Sequence, residues 1–205
     1  GTQARDAGEG AETAGGLRRR AEVPGGGGSK RAGGGRRGDE LVAGGKAGMP
    51  SLAELLKKYR PQMVVLMIGT NDAAQGRERG EYIHNVDTAV DQILAADAIC
   101  ILSTIPPYFA KPELTKSYNQ SLRDLAKKRG LPLIDYEREI LTRRERDWDG
   151  TLLNKNDAHP SAGDGKVNSS SEPTDENLKI SGYLLRSWLS VKKIAEVKRT
   201  AIDQP

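Results

Sequence analysis

Cysteine is almost absent from this 205-residue chain. Cys100 stands alone, so no intrachain disulfide can form and the redox compartment stays open. Aromatic residues make up 4% of the chain, and none comes before Tyr59. No apolar run approaches the ~18 residues that a membrane-spanning helix needs, so no membrane span is expected. The histidines are His84 and His159 only; with one cysteine they offer no cluster at metal-ligand spacing, and neither a metal nor an organic cofactor is expected. The sequence opens without an initiator methionine or a basic-then-apolar leader, which leaves localisation unreadable. Nothing in it fixes an oligomeric state.

Glycine is plentiful but unevenly placed. Residues 1–48 hold 16 of the 24 glycines, and their nine Lys/Arg against six Asp/Glu carry +3 of the net +4. The sequence pI of about 9.1 therefore reflects this segment and not a basic domain. Without an apolar face to offset the entropy of ordering, 1–48 reads as a disordered Gly/Arg-rich tail. Its abrupt compositional edge is also what a misread frame would produce. A nucleic-acid role is not expected, because no aromatics interleave the arginines to stack on bases. Gly45-Lys46 is no phosphate loop: Glu40 and Ala47 stand where glycine and Ser/Thr are needed. Residues 49–205 read as the folded domain.

There the patterning is regular. Ser51 and Glu54 form a capping box ahead of Leu52, Leu55, Leu56 and Tyr59 at helical spacing. Met63 to Ile68 is an unbroken apolar run rich in strand formers, as expected of a strand buried on both faces of a parallel sheet. Helices are predicted over about 81–96, 113–129 (ended by Gly130) and 182–202, with strands over 99–102 and 131–134. This alternation is the signature of βαβ units and an α/β fold.

Sites in such folds form in loops beyond the carboxyl ends of the strands. Two polar clusters fall there. Gly69-Thr70-Asn71-Asp72 follows the first strand; its asparagine amide is suited to stabilising an oxyanion, with Asp72 orienting it or capping the next segment. Read alone, the cluster is also an ordinary Asn-Asp turn. Asn156-Asp157-Ala158-His159-Pro160 offers a general-base histidine with a carboxylate two residues away. His84, in a helix beside Asn85, reads as a solvated surface residue.

With Ser103-Thr104-Ile105-Pro106-Pro107 at the end of the second strand, these blocks form an ordered set that resembles the SGNH hydrolases, the GDSL-type esterases and lipases. The likeness runs from about Pro50 to the C-terminus. It implies a flavodoxin-like three-layer α/β/α sandwich with a parallel sheet, and hydrolysis of small-molecule or carbohydrate esters, often acetyl groups. It gives Asn71 the oxyanion role within the Gly69–Asp72 block, and His159 the general-base role. Two departures are visible. The family's nucleophile block, Gly-Asp-Ser, is missing: Gly38-Asp39-Glu40 has glutamate in the serine position and no strand before it, so the nucleophile is unknown. The glycine of the second block, another oxyanion donor, has only Gly44 and Gly45 as candidates. The family's acid usually precedes its histidine by three positions, where this chain has Asn156; Asp157 is one residue closer. Without its N-terminal strands the domain is incomplete, the Met63–Ile68 strand presents an open edge, and the chain alone is expected to be poorly soluble or partly folded. The competing reading is a non-catalytic carbohydrate-binding or interaction protein that keeps the fold.

Overall fold

The capping box at Ser51 starts the ordered domain as its residues dictate: the Ser51 hydroxyl accepts the Glu54 N–H, and the Glu54 carboxylate accepts the Ser51 N–H. The computed structural model describes residues 36–44 and 49–203. Helices α1 (Gly38–Ala43), α2 (Leu52–Tyr59), α3 (Thr70–Ala74), α4 (Arg79–Ala95), α5 (Pro112–Arg129), α6 (Tyr136–Arg143) and α7 (Gly182–Val197) alternate with strands β1 (Met63–Leu66), β2 (Ile99–Ser103) and β3 (Leu133–Ile134).

The strands form one parallel sheet in the order β1-β2-β3, with Val64 opposite Cys100 and Leu102 opposite Leu133. Side chains alternate across it. Leu66, Cys100 and Leu102 join a core with α2, α4 and α5, against which Val64 and the α1 residues Leu41 and Val42 pack. Ile101 and Ile134 join a second core with α6 and α7, with Met63 and Val65 packed against it. The result is the expected three-layer α/β/α sandwich with a parallel sheet. No described helix is long and apolar enough to cross a membrane.

Two features depart from the sequence reading. Helix α1 lies inside the stretch expected to be a tail: Leu41 and Val42 give it an apolar contact, and Gly44 closes it in the left-handed region at φ 72°. The rest of that stretch, residues 1–35 and 45–48, lies outside the described residues. Helix α6 has no counterpart in the sequence patterning; its buried Tyr136 and Ile140 are a single i,i+4 pair in a polar segment.

Among the described residues β1 pairs only with β2. The Gln62 carbonyl accepts the Ile99 N–H, so the main chains of Gln62, Val64 and Leu66 face β2. Those of Met63, Val65 and Met67 consequently point to the other edge, where Arg36, Leu41, Leu52 and residues Val64 to Asn71 line a groove.

Candidate active site

Beyond the end of β1 the chain bends at Gly69, whose φ of 129° is a conformation that other residues rarely adopt. A Cβ there would lie 2.6 Å from the Tyr82 ring, so the position excludes side chains on two grounds. Tyr82 is buried in α4, stacks on Tyr118 of α5 with centroids 3.8 Å apart, and donates its hydroxyl to the Ile68 carbonyl at 2.9 Å. Two aromatic rings thus form the floor of the Gly69–Asp72 turn.

The turn is tied to α1 by adjacent side chains. Asn71 Nδ2 donates to the Arg36 carbonyl at 3.2 Å. That bond orients the amide and leaves its second N–H without a partner among the described residues. Asp72, fully buried, accepts the Gly38 N–H at 3.1 and 3.4 Å and lies 2.8 Å from Arg77 Nε. Burial raises the Asp72 carboxyl above its ordinary range, against the opposing pull of the Gly38 N–H and the Arg77 charge. The glycine brought to the turn is therefore Gly38. Gly44 caps α1 at its far end, and Gly45 lies outside the described residues. A sequence signal existed in the Gly-Asp pair, which reads as the start of a nucleophile block when taken alone.

The second cluster lies in the loop between α6 and α7. Asp157 receives His159 Nδ1 at 2.9 and 2.8 Å, and its Oδ1 also accepts the Ala158 N–H at 2.7 Å. The Asn154 N–H donates to the His159 carbonyl, and the Asp157 N–H to the Asn154 carbonyl, which closes the loop on itself. Asn156 turns through the left-handed region at φ 58° and gives its N–H to Asp149. An ionised carboxylate only accepts, so Nδ1 carries the ring proton and Nε2 of the neutral ring is left as the acceptor. The His159 side chain is well exposed. His84 is exposed on α4, away from both clusters.

The block after β2 serves the scaffold. Asn119 of α5 accepts the Ile105 N–H and donates to the Ile105 carbonyl, which pins the Pro106-Pro107 loop. Arg123 joins Asp135 and Glu137 beneath Thr104. Burial would raise Asp135, but the Arg123 guanidinium outweighs it and holds the carboxyl below its usual range. Ser103 is buried and donates to the Thr104 carbonyl, and the Ser161 hydroxyl is engaged with Ile180 and Gly182. Neither is a free nucleophile. Burial pushes the Cys100 thiol up to about 11, far from thiolate reactivity. No group of three or more metal-ligating side chains occurs among the described residues.

No curated protein matches the chain in sequence. Among solved structures it is similar to a carbohydrate esterase family 3 protein from Talaromyces cellulolyticus (TM-score 0.52, 16% identity, 78% of this chain and 69% of that one). It is similar to a catalytic mutant of an acetylxylan esterase from Geobacillus stearothermophilus (0.50, 15%, 70% and 68%) and to an acetyl esterase mutant with acetate ion (0.50, 17%, 77% and 70%). At these identities the likeness carries the fold. The family follows from sequence: the model of the GDSL-like lipase/acylhydrolase family matches residues 8–163, well over half of the chain, and the chain belongs to that family.

Proposed function

We propose that this chain carries the acid–base and oxyanion parts of a carboxylic ester hydrolase site of the SGNH type, acting on acetyl or short acyl esters, carbohydrate esters among them. The observation that carries the reading is the Asp157 carboxylate on His159 Nδ1. It makes Nε2 the proton acceptor of the ring, the arrangement a general base needs. A serine that no described strand end supplies attacks the ester carbonyl while Nε2 takes its proton. The second N–H of Asn71 meets the developing oxyanion at the end of the groove beside β1. His159 then protonates the departing alcohol and activates water to release the acid.

The chain as it stands is expected to leave p-nitrophenyl acetate unhydrolysed. Joining the Gly-Asp-Ser strand of an esterase relative ahead of Arg36 tests the reading. The chimera should hydrolyse p-nitrophenyl acetate in preference to long acyl esters, and a folded chimera without turnover rejects it. Glu40, where the family's Gly-Asp-Ser block carries serine, favours the second reading, a carbohydrate-binding or interaction protein, which requires saccharide binding by the chain itself in calorimetry.

A further inference from the structure

Asp72 is a fully buried carboxylate next in sequence to Asn71, in the first turn of α3. An ionised carboxylate out of water needs donors or a countercharge, and leaving it without them is costly. Among the described residues it has one hydrogen-bonding N–H from another segment, that of Gly38, and one countercharge, that of Arg77. The Arg77 side chain is almost as buried as Asp72. Its guanidinium spans three acids: Nε lies 2.8 Å from Asp72, Nη2 lies 3.1 Å from Asp39 of α1, and Nη1 pairs with Glu81 of α4. Its main chain is tied as well. The Arg77 N–H donates to the Asp72 carbonyl at 2.9 Å, and its carbonyl accepts the Tyr118 hydroxyl at 2.6 Å. Tyr118 stacks on Tyr82, which holds the Ile68 carbonyl at the other end of the turn.

We infer that Arg77 is the positioning residue of the Asn71 donor, resting on the ester-hydrolase reading above. It keeps a buried charge at Asp72, and that charge draws the Gly38 N–H and so holds α1 where the Arg36 carbonyl fixes the Asn71 amide. Arg77 touches no reacting atom. It sets the distance between the turn and α1 by a fork that reaches Asp72, Asp39 and Glu81 together. Without it, buried Asp72 keeps no countercharge among the described residues and only backbone N–H donors. The turn and α1 then separate while the sheet keeps its own hydrogen bonds and its two cores.

Hydrogen exchange with mass spectrometry on the full chain tests this. In Arg77→Gln, peptides covering 36–44 and 68–77 should lose protection about tenfold, the order expected when a buried charged group loses its partner. Peptides covering 99–103 and 118–126 should keep theirs. Arg77→Lys, which retains the charge on Asp72, should recover most of the protection at 68–77. Asp39→Asn, at an accessible carboxylate, should loosen 36–44 alone. A uniform rise across all peptides, no change in either variant, or a lysine variant as open as the glutamine one overturns the assignment. None of these readings requires turnover. A catalytically dead chimera with the local pattern intact removes the hydrolase reading and leaves the Arg77 clamp, and the reverse result removes only the clamp.

Discussion

Asp157 meets His159 with both carboxylate oxygens, at 2.9 and 2.8 Å from Nδ1, across a single intervening residue. A carboxylate so placed selects a tautomer. In the neutral ring the proton should sit on Nδ1, opposite to the Nε2–H form that free imidazole side chains favour. Long-range ¹H–¹⁵N correlation spectra of the chain should report Nδ1–H for His159, and Asp157→Ala should return the ring to the Nε2–H form. The same tautomer in both proteins would mean that Asp157 does not orient the base.

Gly69 separates two costs that glycine positions usually mix. Its φ of 129° and the Tyr82 ring, 2.6 Å from where a Cβ would stand, act together. Gly69→Ala should cost about 3 kcal/mol in denaturant unfolding, the sum of backbone strain and overpacking. At Gly76, φ is 71° and nothing lies within 4 Å of a Cβ. Gly76→Ala should cost only about 1 kcal/mol, the left-handed penalty alone. Equal losses at the two sites would remove Tyr82 as the floor of the turn.

The outer edge of β1 should make the chain self-associate, since among the described residues no strand pairs with the main-chain groups of Met63, Val65 and Met67. Val65→Pro deletes an edge donor without touching the β1–β2 ladder, and should lower the weight-average mass in sedimentation. Val64→Pro, whose N–H faces β2, should unfold the sheet instead. A wild-type chain that stays monomeric at high concentration contradicts this.

Asp72 gives stability an uncommon dependence on pH. Because burial raises its folded-state value, the native chain binds this proton at higher pH than the unfolded chain does. Its contribution therefore grows as pH falls from the raised value toward the ordinary carboxylate range. Asp135 acts in the opposite sense and in a lower window: its value is lowered, so its contribution is lost only as pH falls below the ordinary range. The difference in unfolding free energy between wild type and Asp72→Asn should shift in favour of wild type as pH drops through the raised value of Asp72 toward the ordinary carboxylate range. A difference that is flat with pH would show that Asp72 is not buried as a carboxylate.

The sheet is legible in the sequence because an apolar run too short for a helix admits little besides a buried strand, and Met63 to Leu66 form β1. The helices with long apolar stripes are legible for the same local reason. Helix α1 is not, since six residues show no periodicity and its support comes from α4 and the Asp72 turn rather than from itself. The histidine and its acid are two residues apart, so sequence alone can pair them. The Gly38–Asp72 contact joins positions 34 residues apart, and only the packing of α1 reveals it. The left-handed turn at Asn156, just before the Asp157–His159 contact, is encoded by no composition or spacing.

The role of His159 as the base of an ester hydrolase is measured most directly by kcat/KM for p-nitrophenyl acetate in the Gly-Asp-Ser chimera, with and without His159→Ala. Residues of such a catalytic unit lose about 10³-fold or more when one is removed. Turnover should fall by at least that factor in the alanine variant, while the variant keeps the chimera's circular dichroism and melting temperature. Turnover that survives His159→Ala within tenfold would contradict that role.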